Sequence, residues 1–148
     1  MNSPLSDVEL VQRLLLAVLI GGILGAEREL HRKSAGFRTN ILIALGSAVF
    51  TIASLTIAGN AADQTRIASQ IVTGIGFLGA GAILRNRDGV HGLTTAATVW
   101  VNAALGVAAG GGQYRLAILA GGITVVVLLV LGPLERRIEQ QVGPKRTP

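Results

Sequence analysis

Five apolar runs dominate this sequence, and they leave it few folds to choose from. They cover about residues 8–26, 39–59, 67–84, 92–109 and 116–134. A helix that crosses a bilayer needs roughly 20 mostly apolar residues, with ~17 to 25 as the working range. All five runs reach or nearly reach that length. The first is the weakest, because Glu9, Gln12 and Arg13 fall in its opening turns. The fifth is expected to stop at Pro133 and Glu135-Arg136-Arg137, followed by a short polar tail over 135–148. Half of the 148 residues are hydrophobic, mean hydropathy is +0.57 and only 14% are charged, against about 25% in a soluble domain. The reading is an all-α polytopic membrane helix bundle, one domain over 1–134, with five transmembrane helices.

Charge sets the expected orientation, because short cytoplasmic loops collect Lys and Arg. Arg28, Arg32, Lys33 and Arg38 follow the first run, Arg85 and Arg87 follow the third, and Arg136, Arg137, Lys145 and Arg146 follow the fifth. Only Arg13, Arg66 and Arg115 fall on the other side. This places the N-terminus outside and the C-terminus in the cytoplasm, as an odd number of spans requires. Tyr114 falls at the outer interface, where amphipathic rings prefer to sit. A cleaved signal peptide is not expected: the N-terminus is acidic, and the first run ends at Glu27-Arg28 without a small-residue cleavage site. The net charge of +5 does not indicate nucleic acid, since the basic residues lie between apolar runs with no aromatic platform beside them. Cysteine is absent, so there are no disulfides or thiolate metal sites.

The glycine-rich stretch 70–84 admits two readings. Gly74-Ile75-Gly76-Phe77-Leu78-Gly79 satisfies G-x-G-x-x-G. A dinucleotide site would also need a strand before it, a helix after it and an acidic residue about 20 positions on. Position 99 is Val, and the nearest downstream acid is Asp88. The better reading is a membrane helix with small residues at a close contact. Ser69, Thr73, Gly76 and Ala80 share one helical face. Gly21 with Gly25, and Gly106 with Gly110, form further small-xxx-small pairs.

Polar residues line up in the same way. Asn40, Ser47, Thr51 and Ser54 share a face of the second helix; His91, Thr95, Thr98 and Asn102 share one on the fourth; Ser69, Gln70 and Thr73 lie on the third. Hydrocarbon satisfies no polar group, so these faces are expected to meet inside the bundle. The simpler meaning of the seam is interhelical hydrogen bonding; the sharper one is a polar path or ligand site. No acidic residue lies mid-span, although intramembrane ionisable groups are the usual mark of an ion path. The fifth helix, with Thr124 as its one interior polar residue, is expected to face lipid. Glu27 and Arg28 read either as an ion-pair cluster with Arg38 or as a solvated helix end. Asp63 and Arg66 read as a loop ion pair in preference to a cation site. Trp100 lies deep in the fourth helix, as packing or a lipid contact. His31 and His91 lie in separate loops without nearby carboxylates, so neither a metal nor a cofactor is expected. No nucleophile–base pair or carboxylate pair appears, and enzymatic function is not expected.

The strings GGILGAERE (21–29), AGFRTNILIALGS (35–47), RIASQIVTGIGFLGAGAILR (66–85) and HGLTTAATVWVNAALGVAAGGGQY (91–114) resemble, in order and over nearly the whole chain, the membrane domain of MgtC/SapB proteins. The resemblance implies a bacterial inner-membrane protein with five spans and an outside N-terminus. Members are linked to growth in low magnesium, to virulence inside macrophages and, for some, to acid tolerance. The best-known resemble regulators of other membrane machines, including the F-type ATP synthase and P-type cation ATPases. The motif residues that carry over are Glu27, Arg28, Gly36, Arg38, Thr39, Arg66, Gln70, Gly74, Gly76, Gly79, Gly81, Gly92, Thr94, Thr95 and Trp100. Asn40 stands where histidine is common in the family. Many members also carry a soluble C-terminal domain resembling an ACT fold; this sequence is expected to be the membrane module alone.

Two functions compete on these grounds. One is a regulatory subunit that binds another membrane protein, or itself as a homo-oligomer, through the glycine faces of helices one, three and four. The other is a small ion or solute channel that uses the polar seam of helices two to four, Thr98 and Asn102 included. In the second case the glycines at 74–81 would permit a break in the third helix, which transporters use at binding sites.

Overall fold

A computed structural model describes residues 5–57, 66–86 and 89–142, and of 66–68, 86 and 133–142 only the backbone. Five helices are present: α1 (Asp7–Leu30), α2 (Phe37–Ile57), α3 (Arg66–Gly81), α4 (Leu93–Gly110) and α5 (Tyr114–Val142). A two-stranded antiparallel hairpin, β1 (Leu84–Asn86) and β2 (Gly89–His91), joins α3 to α4.

Local chemistry explains the helix ends. The Ser6 hydroxyl accepts from the Glu9 amide at 3.2 Å, and Asp7 and Glu9 place negative charge on the positive end of α1. At the far end, Arg32 turns left-handed (φ 52°) and the Lys33 amide donates back to the Arg28 carbonyl, closing α1. The Glu29 carboxylate then accepts from the Phe37 amide at 3.1 Å, so the end of α1 caps the start of α2. Gly92 (φ 88°) begins α4 where any Cβ would lie 2.0 Å from the Ala82 carbonyl oxygen; only glycine lets the hairpin fold back onto the end of α3.

α2 lies at the centre, packed between α1 and α4. The main core joins Ala17, Ile20 and Leu24 of α1, Ala44 and Ala48 of α2, Leu105, Ala108 and Ala109 of α4, and Ala117 and Leu128 of α5. A second cluster joins Ala35, Ile43, Ile75, Val99 and Ala103, and seats α3 against α2 and α4. The many alanines and glycines let helix axes approach closely, which drives association where lipid is as apolar as the side chains. α5 buries only a narrow stripe on α1 and α4 and leaves Leu119, Ile123, Val126 and Val130 exposed, as a lipid-facing helix would.

Four helices among the described residues are long and apolar enough to cross a membrane: α1, α2, α4 and the 114–132 portion of α5. This is a multi-pass membrane architecture. Two expected boundaries need correction. The third helix ends at Gly81 and not at 84, because Leu84 begins β1, and its 16 residues fall short of a full span. The fifth helix does not stop at Pro133 but continues to Val142. The residues after Pro133 are mostly strong helix formers, and proline is tolerated in membrane helices whose freed backbone groups are satisfied locally. Asp63 lies outside the described residues and Arg66 is described by backbone only, so their pairing has no structural counterpart here.

Candidate functional site

The buried part of the polar seam lies on α2 and α4, while Ser69, Gln70 and Thr73 of α3 are exposed. Asn40, Ser47, Thr51 and Ser54 of α2 and Thr95, Thr98 and Asn102 of α4 are all buried. Its hub is Asn40. The Asn40 Nδ2 donates to the carbonyls of Ala35 (2.8 Å) and Gly36 (2.9 Å). The Asn102 Nδ2 donates in turn to the Asn40 carbonyl (2.7 Å) and the Asn40 Oδ1 (3.1 Å). This ties the middle of α4 to the first turn of α2. The hydroxyls behave otherwise. Thr51 donates to the Ser47 carbonyl at 2.8 Å and Thr98 to the Thr94 carbonyl at 2.7 Å, so both are satisfied within their own helices.

The helix pairs marked by glycines also meet. A Cβ on Gly21 would lie 2.7 Å from the Asn40 carbonyl oxygen, and one on Gly25 would lie 2.7 Å from the Phe37 Cα. On the other side of α2, a Cβ on Gly106 would lie 2.3 Å from the Ala44 carbonyl oxygen, and one on Gly110 2.5 Å from that of Ala48. The glycine faces of α1 and α4 are therefore spent on α2 and cannot also serve a partner, contrary to the expectation from sequence.

α3 differs. It is continuous through the glycines, with no break. Ser69, Thr73, Gly76 and Ala80 are exposed. No atom lies within 4 Å of a Cβ built on Gly74, Gly76 or Gly81; only Gly79 touches a neighbour, with the Ala96 carbonyl oxygen at 3.6 Å. The packing is made instead by Ile71 and Ile75, which turns the small-residue face outward. Between α2 and α3 lies an open cleft of about 760 Å³, lined by apolar side chains together with Arg38, Thr39, Ser47 and Gln70.

Glu27 and Arg28 are no solvated helix end: they are only 6% and 4% exposed. The Arg28 Nε donates to the Glu27 Oε2, and the His31 Nδ1 lies 3.1 Å from the Glu27 Oε1. Arg28 Nη1 has no partner among the described residues. Arg38 is not part of this cluster. It is exposed at the cleft and makes no ion pair with a described residue. Thr94 is exposed, and Trp100 is half exposed on α4, in line with a lipid contact.

Arg13 acquires a role that sequence alone did not give it. It is buried in α1, its Nη1 donates to the Gly110 carbonyl at 2.7 Å, and its Nη2 meets the Glu9 Oε1 at 2.5 Å. A charged group thus caps the negative end of α4. The one sequence signal was a basic residue inside an apolar run.

Among the described residues, no three His, Asp or Glu side chains stand close enough to hold a metal ion. What the arrangement offers is a locked α1–α2–α4 core beside a thinly covered α3.

Known proteins have similar sequences. The model of the MgtC family matches residues 14–137. Escherichia coli K12 "Putative magnesium transporter YhiD" is 44% identical over 137 residues, which cover 88% of this chain and 64% of that protein. "Protein MgtC" of Salmonella typhimurium LT2 is 45% identical over 130 residues, covering 88% of this chain and 55% of that protein. "Protein MgtC" of Brucella abortus is 45% identical over 125 residues, covering 84% of this chain and 52% of that protein. The chain thus spans between about half and two thirds of the length of these curated relatives. No solved structure matches it. Because the matched residues begin inside α1 and end inside α5, and so take in the seam, the glycine contacts and the cleft, the chain belongs to the MgtC family.

Proposed function

We propose that this chain is a non-enzymatic modulator of the bacterial inner membrane, acting by contact on other membrane machines in a response tied to magnesium limitation. The relative named "Putative magnesium transporter YhiD" supports the link to magnesium. The observation that carries the contact reading is the unequal use of the glycines. Those of α1 and α4 are filled by α2, whereas Gly76 on α3 faces open space beside Thr73 and Ala80. A small-residue face left outward in lipid is a surface on which another helix can pack. The partner is a second copy of the chain or, by family, an F-type ATP synthase or P-type cation ATPase.

The conduction alternative, a channel along helices two to four, finds less support. Thr95 and Thr98 are buried, the Thr98 hydroxyl is bonded within α4, and α3 has no unwound turn. The topology in this proposal keeps the N-terminus outside. α3 then crosses as a short helix of ~24 Å, against a hydrocarbon core of ~30 Å, with local thinning of the bilayer.

The test places a photo-crosslinking residue at Phe77, which is 83% exposed on α3, in native membranes. Adducts to a second copy, or to a subunit of one of those ATPases, that disappear with Gly76→Leu support the proposal. Adducts no more abundant than from a crosslinker at Ile118 on α5 overturn it.

A further inference from the structure

We infer that the cleft between α2 and α3 is a binding site for one anionic phospholipid, with its headgroup phosphate on Arg38 and an acyl chain along the cleft. This site is distinct from the contact face proposed above. Gly74 lines the cleft and Gly76 does not; two residues apart on a helix, they point ~200° from each other.

Three observations converge on a lipid. The walls are apolar, with Leu42 and Phe50 from α2 and Ile71 and Leu78 from α3. From Arg38 to Phe50 the cleft follows α2 for ~18 Å, a little more than half of a ~30 Å hydrocarbon core and so the depth of one leaflet. Gly46 and Gly74 widen it from opposite walls, with no atom within 4 Å of a Cβ at either. An aliphatic chain fits such a slot.

Charge then selects the headgroup. Among the described residues, Arg38 is the one charged residue lining the cleft, in the first turn of α2 at its end, with Thr39 beside it. It makes no ion pair with any described residue. The Glu29 carboxylate accepts from the Phe37 amide and caps the start of α2, so the guanidinium and not the helix end is the group offered to an anion. Arginine matches phosphate oxygens with two parallel N–H donors. Basic pockets between membrane helices on the cytoplasmic side are recognised headgroup sites. A second copy of the chain is a poorer occupant at that end, because it carries a net charge of +5 and would bring like charge towards Arg38.

Native mass spectrometry of the purified chain, titrated with phosphatidylglycerol or phosphatidylcholine, tests the site. The wild type is expected to retain one phosphatidylglycerol about fivefold more tightly than phosphatidylcholine, the ratio for roughly 1 kcal/mol per basic group at an anionic headgroup. Arg38→Gln should abolish that preference. Gly74→Phe, which fills open space and should not disturb the fold, should remove retention of both lipids, while Gly76→Phe on the other face should leave it intact. Circular dichroism confirms that each variant is folded. Equal retention of the two lipids by the wild type, an unchanged preference in Arg38→Gln, or a second copy in place of the lipid would each overturn the inference.

Discussion

Arg13 and Gly110 show what one residue can decide in this protein. The guanidinium is only 8% exposed, and it satisfies a carbonyl at the end of α4 from 97 positions away. Removing it strands a buried acceptor, which costs about 1–3 kcal/mol. Arg13→Ala is therefore expected to lower unfolding stability in detergent by that amount, as read from a denaturant titration; an unchanged midpoint would show that Arg13 caps nothing. The sequence showed Arg13 only as a blemish in an apolar run, because nothing local reveals a partner so distant. Glu27 and Arg28 were harder still. Their position at the end of α1 suited a solvated pair equally well, and only the fold shows them buried and separate from Arg38. Asn40 was legible as a member of a polar face, yet its place as hub depends on Asn102 and on the loop carbonyls of Ala35 and Gly36.

The helices were far more legible than their contacts. Hydropathy located all five, because lipid demands long apolar runs whatever the tertiary arrangement. It overran the end of α3, since Ile83 and Leu84 prolong the apolar run although Leu84 pairs with His91 in the hairpin. Spacing identified Gly21, Gly25, Gly106 and Gly110 as contact residues, and all four meet the backbone of α2. Spacing could not say that Gly76 would face outward, because a small-residue stripe looks the same whether its partner is in the chain or outside it. The two kinds of glycine separate by substitution. Gly106→Ala places a methyl against the Ala44 carbonyl and should destabilise by about 1–3 kcal/mol, the usual cost of overpacking. Gly76→Ala meets nothing and should stabilise by up to about 1 kcal/mol through helix propensity. The same titration on both variants checks this: equal losses would mean that α3 is packed inside the chain.

At the scale of the whole molecule, a closely packed core stands beside an open flank. α1, α2 and α4 form one block through glycine contacts, the Asn40–Asn102 bridge and the Arg13 cap. α3 leans on that block by few residues, with a cleft on one side and a small-residue face on another. The proposed contact function calls for such a flank and not for a pore. The most direct test is ion flux in proteoliposomes that contain only this chain, folded and inserted, under magnesium, sodium, potassium and proton gradients. The contact account predicts flux no greater than in protein-free vesicles for every ion. Flux of any of these ions that Thr95→Leu or Thr98→Leu abolishes would contradict it and make the α2–α4 seam a conduction path.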